Sequence, residues 1–239
     1  MLRTGRPPLR RFLRTRRFLL ADDKGLSLTE LLISMTIFSI LMGIVMSVMI
    51  TLTNMSRDSV ARTQAIQEAR LGLSQIDRQV RSGNVILDPA DEDPDDSGVP
   101  PFFSMRIHTQ AGGVATCAQW RVIDHDSDTF GDLEFRTWTP GLPLTATAWS
   151  PVAHNLISMD VAPASAADID VDDPETWPPF WVNSEASGNT EAQYVSITLR
   201  LKDPGEKNDS KPTSISTTIT GRNTVFSVPS TACSPVPTP

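Results

Sequence analysis

Glu30 heads a run, residues 31–56, in which no side chain is charged. An unpaired carboxylate inside hydrocarbon costs of the order of a few kcal/mol. Charge pairing is therefore the chemistry open to Glu30, unless the side chain merely snorkels to the interface. A second set of carboxylates, Asp124, Asp126 and Asp128, repeats at every other residue, as do Asp91, Asp93 and Asp95. Calcium loops place alternate oxygen ligands in this way. Neither stretch has the glycine at the sixth place or the glutamate at the twelfth that an EF-hand requires. A solvated acidic loop is the default reading, and Asp124, Asp126 and Asp128 are weak calcium candidates. His108, His125 and His154 stand apart and form no zinc spacing. Cys117 and Cys233 are a candidate disulfide or two unrelated thiols, since spacing in sequence gives no distance. No G-x-S-x-G, phosphate-cradling glycine loop or catalytic cysteine signature occurs, so neither a catalytic residue nor a cofactor is expected.

The elements that must position these groups begin with the apolar run. It is rich in Leu, Ile, Val and Met and exceeds the roughly 20 residues needed to cross a bilayer. Ser34, Thr36, Ser39, Ser47 and Thr51 interrupt it, and their hydroxyls can bond back to the helix backbone. Residues 1–25 hold eight of the 21 basic and two of the 28 acidic residues. The rest of the chain carries −13 against −7 for the whole. By the positive-inside rule the basic flank stays cytoplasmic and the C-terminal body lies outside. There an acidic body repels polyanions, so general nucleic-acid binding is not expected, while a disulfide is permitted. A cleaved secretory signal is the main competitor, but the apolar run is long for one, and residues 49–58 offer no convincing small-x-small site. Residues 9–20 also read as a basic surface helix, or more plainly as a positive flank with a few apolar residues.

The stretch KGLSLTE, residues 24–30, resembles the cleavage and methylation site of type IV prepilins and type II secretion pseudopilins. That motif has a glycine before the cut, an apolar first mature residue and a glutamate at the fifth mature position, followed by a long apolar helix. Carried over, the resemblance implies cleavage between Gly25 and Leu26 by a prepilin peptidase, N-methylation of Leu26, and an assembly role for Glu30. There the partner of Glu30 is the freed amine of a neighbouring subunit. Glycine at the cut admits the backbone to a tight site without a Cβ clash. The match covers about seven residues closely and the next two dozen in general character. This chain departs from the family pattern in its long leader, in Leu rather than Phe at the first mature position, and in Ser47 where major pilins often carry a helix-kinking proline.

Downstream, Ile66, Ala69, Leu73, Ile76 and Val80 recur at spacings of three and four, an amphipathic stripe that continues the helix. The stripe is too short for a coiled-coil stalk to lead. RSGN then ends it, with Gly83 as the cap. Strands are expected at residues 117–123 and 132–138, as a hairpin, and at 155–161, 194–201 and 214–220. Three acidic or proline-rich loops intervene, at 88–101, 164–179 and 202–212. Trp177 and Trp181 read as core or loop anchors, or as an exposed binding loop. An antiparallel sheet burying one face against the helix stripe satisfies both periodicities. The expected fold is thus α+β and pilin-like, a long N-terminal helix packed on an antiparallel β-sheet.

The expected organisation is a basic leader (1–25), a membrane and assembly helix (26–56), its amphipathic continuation (57–83), a β-rich extracytoplasmic domain (84–230) and a flexible tail (231–239). The order of elements, from the helix end at 76–81 to Gly221, Arg222 and Asn223, looks like the J/W-type minor pilins. The resemblance implies a non-enzymatic minor pilin or pseudopilin. It would be anchored in the cell membrane until it assembles into, or primes, a pilus or pseudopilus, with other such subunits and the peptidase as partners. The alternative is a permanently anchored extracytoplasmic binding protein or adhesin without a filament role.

Overall fold

A computed structural model describes residues 25, 27–110, 113–127, 129–141, 145–157, 163, 165–182, 194–202, 204, 212–221 and 231–238. Of the readings above, the leader residues 1–24, Leu26, Asp128, residues 158–161 of the expected strand, most of the 202–212 loop, and Arg222 and Asn223 lie outside them. The chain divides into two units, Met1–Thr51 and Leu52–Pro239. A single helix, α1 (Leu28–Ser82), contributes to both.

In the first unit the described part of α1 is exposed throughout, including Leu31, Ile33, Phe38, Ile44 and Ile50. Its apolar window has a mean hydropathy of 2.4, and it is long enough to cross a membrane. The hydroxyls inside the run do not waste their polarity. Ser34 donates to the Glu30 carbonyl at 2.8 Å, Thr36 to Ile33, Ser39 to Met35 and Thr51 to Ser47. Each of these four hydroxyls is satisfied by its own helix and needs no outside hydrogen-bond partner.

In the second unit α1 turns a stripe of Ala65, Ala69, Gly72, Leu73, Ile76 and Val80 inward. Ala65 replaces Ile66 as the first buried position, and Ile66 is only half-buried. The small residues matter because the sheet comes close. A Cβ on Gly72 would stand 2.7 Å from a Leu133 methyl. The helix stops at Ser82, as its sequence suggests, but Gly83 serves differently from a left-handed cap. It opens strand β1 (Gly83–Ile86), where a Cβ would meet Ile107 at 2.9 Å and the Gln79 carbonyl at 3.0 Å. Close approach, rather than a positive φ, calls for glycine there.

The remaining strands are β2 (Ser104–Thr109), β3 (Thr116–Ile123), β4 (Phe130–Trp138), β5 (Ser150–Ile157), β6 (Phe180–Val182), β7 (Tyr194–Leu201) and β8 (Thr213–Thr220). All pairings are antiparallel. The order is β1-β2-β3-β4-β5-β7, after which β7 pairs with β8 along its whole length and with β6 on its other side. One face carries Met105, Ile107, Trp120, Val122, Leu133, Ile197 and Leu199 against the helix stripe. The fold is α+β and pilin-like, the helix packed on a curled antiparallel sheet.

The opposite face of β2, β3 and β4 is buried too, but it is polar. By alternation it presents Ser104, Arg106, Gln119, Arg121, Glu134 and Arg136, all buried. Loop residue Glu92 roofs it, accepting from Arg106 Nε at 2.6 Å, Ser104 Oγ at 3.1 Å and Gln119 Nε2 at 3.3 Å. Residues 231–238 lie against the same layer. Arg136 donates to the carbonyls of Pro237 (2.7 Å) and Thr238 (2.9 Å), and Cys233 and Val236 are buried. Cys233 is joined to Cys117 by a disulfide with an S–S distance of 2.05 Å. The Trp149 ring lies 3.8 Å from the Arg121 guanidinium and 4.4 Å from that of Arg136. Burial, with Arg121 beside it, lowers Arg136 to about 10.

Candidate functional site

Two places gather the groups that could act. The first is the head of α1. Gly25 is exposed, and a Cβ added there would meet nothing within 4 Å. Two residues on, the Ser27 carbonyl accepts the first helical bonds, from Glu30 at 3.0 Å and Leu31 at 3.1 Å. Its hydroxyl pairs with Thr29 at 2.6 Å. The helix therefore begins just beyond Gly25, and Glu30 falls in its first turn. A carboxylate there faces the positive end of the helix dipole, which offsets part of its cost in apolar surroundings. The result is an exposed glycine, then a helix entry, then an acid at the start of an uncovered apolar surface.

The second place is the mouth of the β3–β4 hairpin. Its loop, residues 124–129, is built on Asp124, whose carboxylate accepts from the amides of Asp126 (3.2 Å) and Thr129 (3.0 Å). Asp93 is likewise engaged as the cap of the short helix α2 (Pro94–Ser97). Next to the loop the fold brings together residues that looked unrelated in sequence. His125 Nε2 lies 3.0 Å from Glu134 Oε1, and His154 Nδ1 lies 2.8 Å from Asp132 Oδ1. Asp132 and Glu134 sit two apart on β4 and so share a face. Their i, i+2 spacing was visible in sequence. The two histidines reach them only through strand pairing and the loop.

The tryptophans are anchors rather than a binding loop. Trp181 is buried with Phe102 and Ile169, and half-buried Trp177 packs on it at 5.7 Å. The Trp177 indole donates to the Asp170 carbonyl at 2.7 Å.

An exposed prepilin-type head on a membrane-length helix, joined in sequence to an α+β body, defines the class: a pilin-type precursor. Residues 20–46 match the family described as the prokaryotic N-terminal methylation motif, the mark of type IV prepilins and pseudopilins. Neither the curated proteins nor the solved structures gave a match. The motif belongs to structural rather than enzymatic proteins, and it implies processing by a prepilin peptidase and assembly with other pilins in a membrane.

Proposed function

We propose that the chain is a minor pilin or pseudopilin subunit, most like the J/W type, cut after Gly25 and then assembled through its apolar helix. The observation that carries this reading is the continuity of the methylation motif at residues 20–46 with the exposed apolar part of α1, with Glu30 in the helix's first turn. A peptidase cutting before the helix leaves the anchor in place, whereas signal peptidase would remove it. Glu30 pairs with the new amine of a neighbouring subunit's Leu26 and sets subunits in register. The basic leader stays on the cytoplasmic side and is left behind, and the body lies outside. The irregular loops of the body suit a tip or priming position better than a many-copy shaft, and the subunit acts by association rather than catalysis.

Mass spectrometry of the mature N-terminus tests this. Leu26 as first residue, with an added methyl on its amine, is the expected result. An intact Met1 in a strain with active prepilin peptidase would instead fit a permanently anchored binding protein and sink the reading.

A further inference from the structure

We propose that His125, Asp132 and Glu134 form a binding site for a divalent first-row transition-metal ion such as zinc. Each offers one donor, and the three donor atoms lie within 4.8 Å of one another. Around an ion bound at about 2.0–2.2 Å, as zinc is by nitrogen and oxygen, donors stand roughly 3–4 Å apart. The cluster is thus slightly wider than a loaded site, and His125 lies on a loop with its side chain 49% exposed, free to close the difference.

The surroundings prepare the carboxylates. Glu134 is buried, and its Oε2 is held by Arg121 Nε and Nη2 at 3.0 and 2.8 Å, which leaves Oε1 turned toward His125. Asp132 Oδ1 is fixed by His154 Nδ1. Such outer partners orient ligands and are part of most metal sites. A cleft of about 340 Å³, lined by His125, Asp126, Phe130, Asp132, His154 and Asn155, reaches two of the three ligands, His125 and Asp132, and gives an ion a way to them. One imidazole with two carboxylates favours zinc and its neighbours over calcium, which takes oxygen ligands alone. Arg121 neutralises part of the acidic charge, so the site suits moderate rather than extreme affinity. A bound ion would tie the 124–129 loop to β4.

The full chain, purified in detergent and stripped with chelator, would be titrated with zinc chloride by calorimetry and by thermal melting, with calcium chloride in parallel. One equivalent of zinc at micromolar affinity and a raised Tm are expected, with calcium at least tenfold weaker. His125→Gln and Asp132→Asn should each weaken zinc binding at least tenfold while keeping the metal-free Tm within a few degrees. Should either variant unfold, His154→Gln replaces it, with the same tenfold criterion. The proposal is overturned by absent or non-saturable zinc binding, by calcium binding as tightly, or by folded variants that bind like the parent.

Discussion

The indole Nε1 of Trp120 donates to Gln79 Oε1 at 2.7 Å, joining β3 to the last turns of α1. Trp120 is fully buried and stacks on Phe135 at a centroid distance of 4.9 Å. Gln79→Ala leaves a buried N–H without its acceptor, which costs about 1–3 kcal/mol. Urea unfolding of the full chain in detergent should report that loss. With Trp120→Phe already present, the same Gln79 change should cost clearly less. Equal costs in the two backgrounds would mean that the bond is not what couples helix to strand.

The Cys117–Cys233 bridge closes a loop with a sequence separation of 116. Constraining so long a loop in the unfolded chain is worth roughly 2–5 kcal/mol. Cys117→Ala with Cys233→Ala should lower the Tm by several degrees and remove the parent's sensitivity to reductant. It should also speed proteolysis near residues 231–238, whose carbonyls Arg136 holds. A reductant-insensitive parent would contradict this.

Acid should destabilise the body through His108. Burial lowers this imidazole below its ordinary 6.5, and its Nδ1 has no partner among the described residues. The unfolded chain then binds the proton more readily, so stability is lost as pH falls below about 6.5 toward the folded value. Asp88 and Glu92 are pushed up by burial and act in the opposite sense. Their contribution is present at low pH and lost as pH rises through their folded values. His108→Gln should therefore flatten the stability curve between pH 6.5 and 5 relative to the parent. Parallel curves for the two proteins would refute the assignment.

Glu30→Ala should leave membrane insertion intact, because the apolar run is unchanged and loses only an acid. Assembly should fail or fall severalfold, read as subunit recovered in sheared filament fractions or crosslinked to neighbouring subunits. Normal recovery would remove Glu30 from any pairing role.

Much of the framework was legible because local periodicity decided it. The stripe on α1 and the alternation of Val195, Ile197, Leu199 and Leu201 both point to the core the structure contains. The strand at 194–201 coincides with β7, and the hairpin matches β3 and β4 to within two residues. Strand β2 was missed although Met105 and Ile107 alternate with Ser104, Arg106 and His108. A polar residue at every other position, with Arg106 in the middle, reads as a solvated face, yet here Arg106 is buried against the distant Glu92. Strands β1 and β6 are too short to leave a period. The His125–Glu134 and His154–Asp132 contacts were illegible for a different reason. The first depends on how the β3–β4 loop folds back over β4, and the second on a β4–β5 pairing whose register shifts twice, near Gly131 and Leu133; no local pattern encodes either.

The two cysteines also set an order of events. Cys117 lies in the third strand, while Cys233 is six residues from the end of the sequence. Strands β4 to β8 all fall between them, so the bridge can close only after every one of these strands has been made. Oxidised and reduced forms of the chain would therefore distinguish completed bodies from unfinished ones.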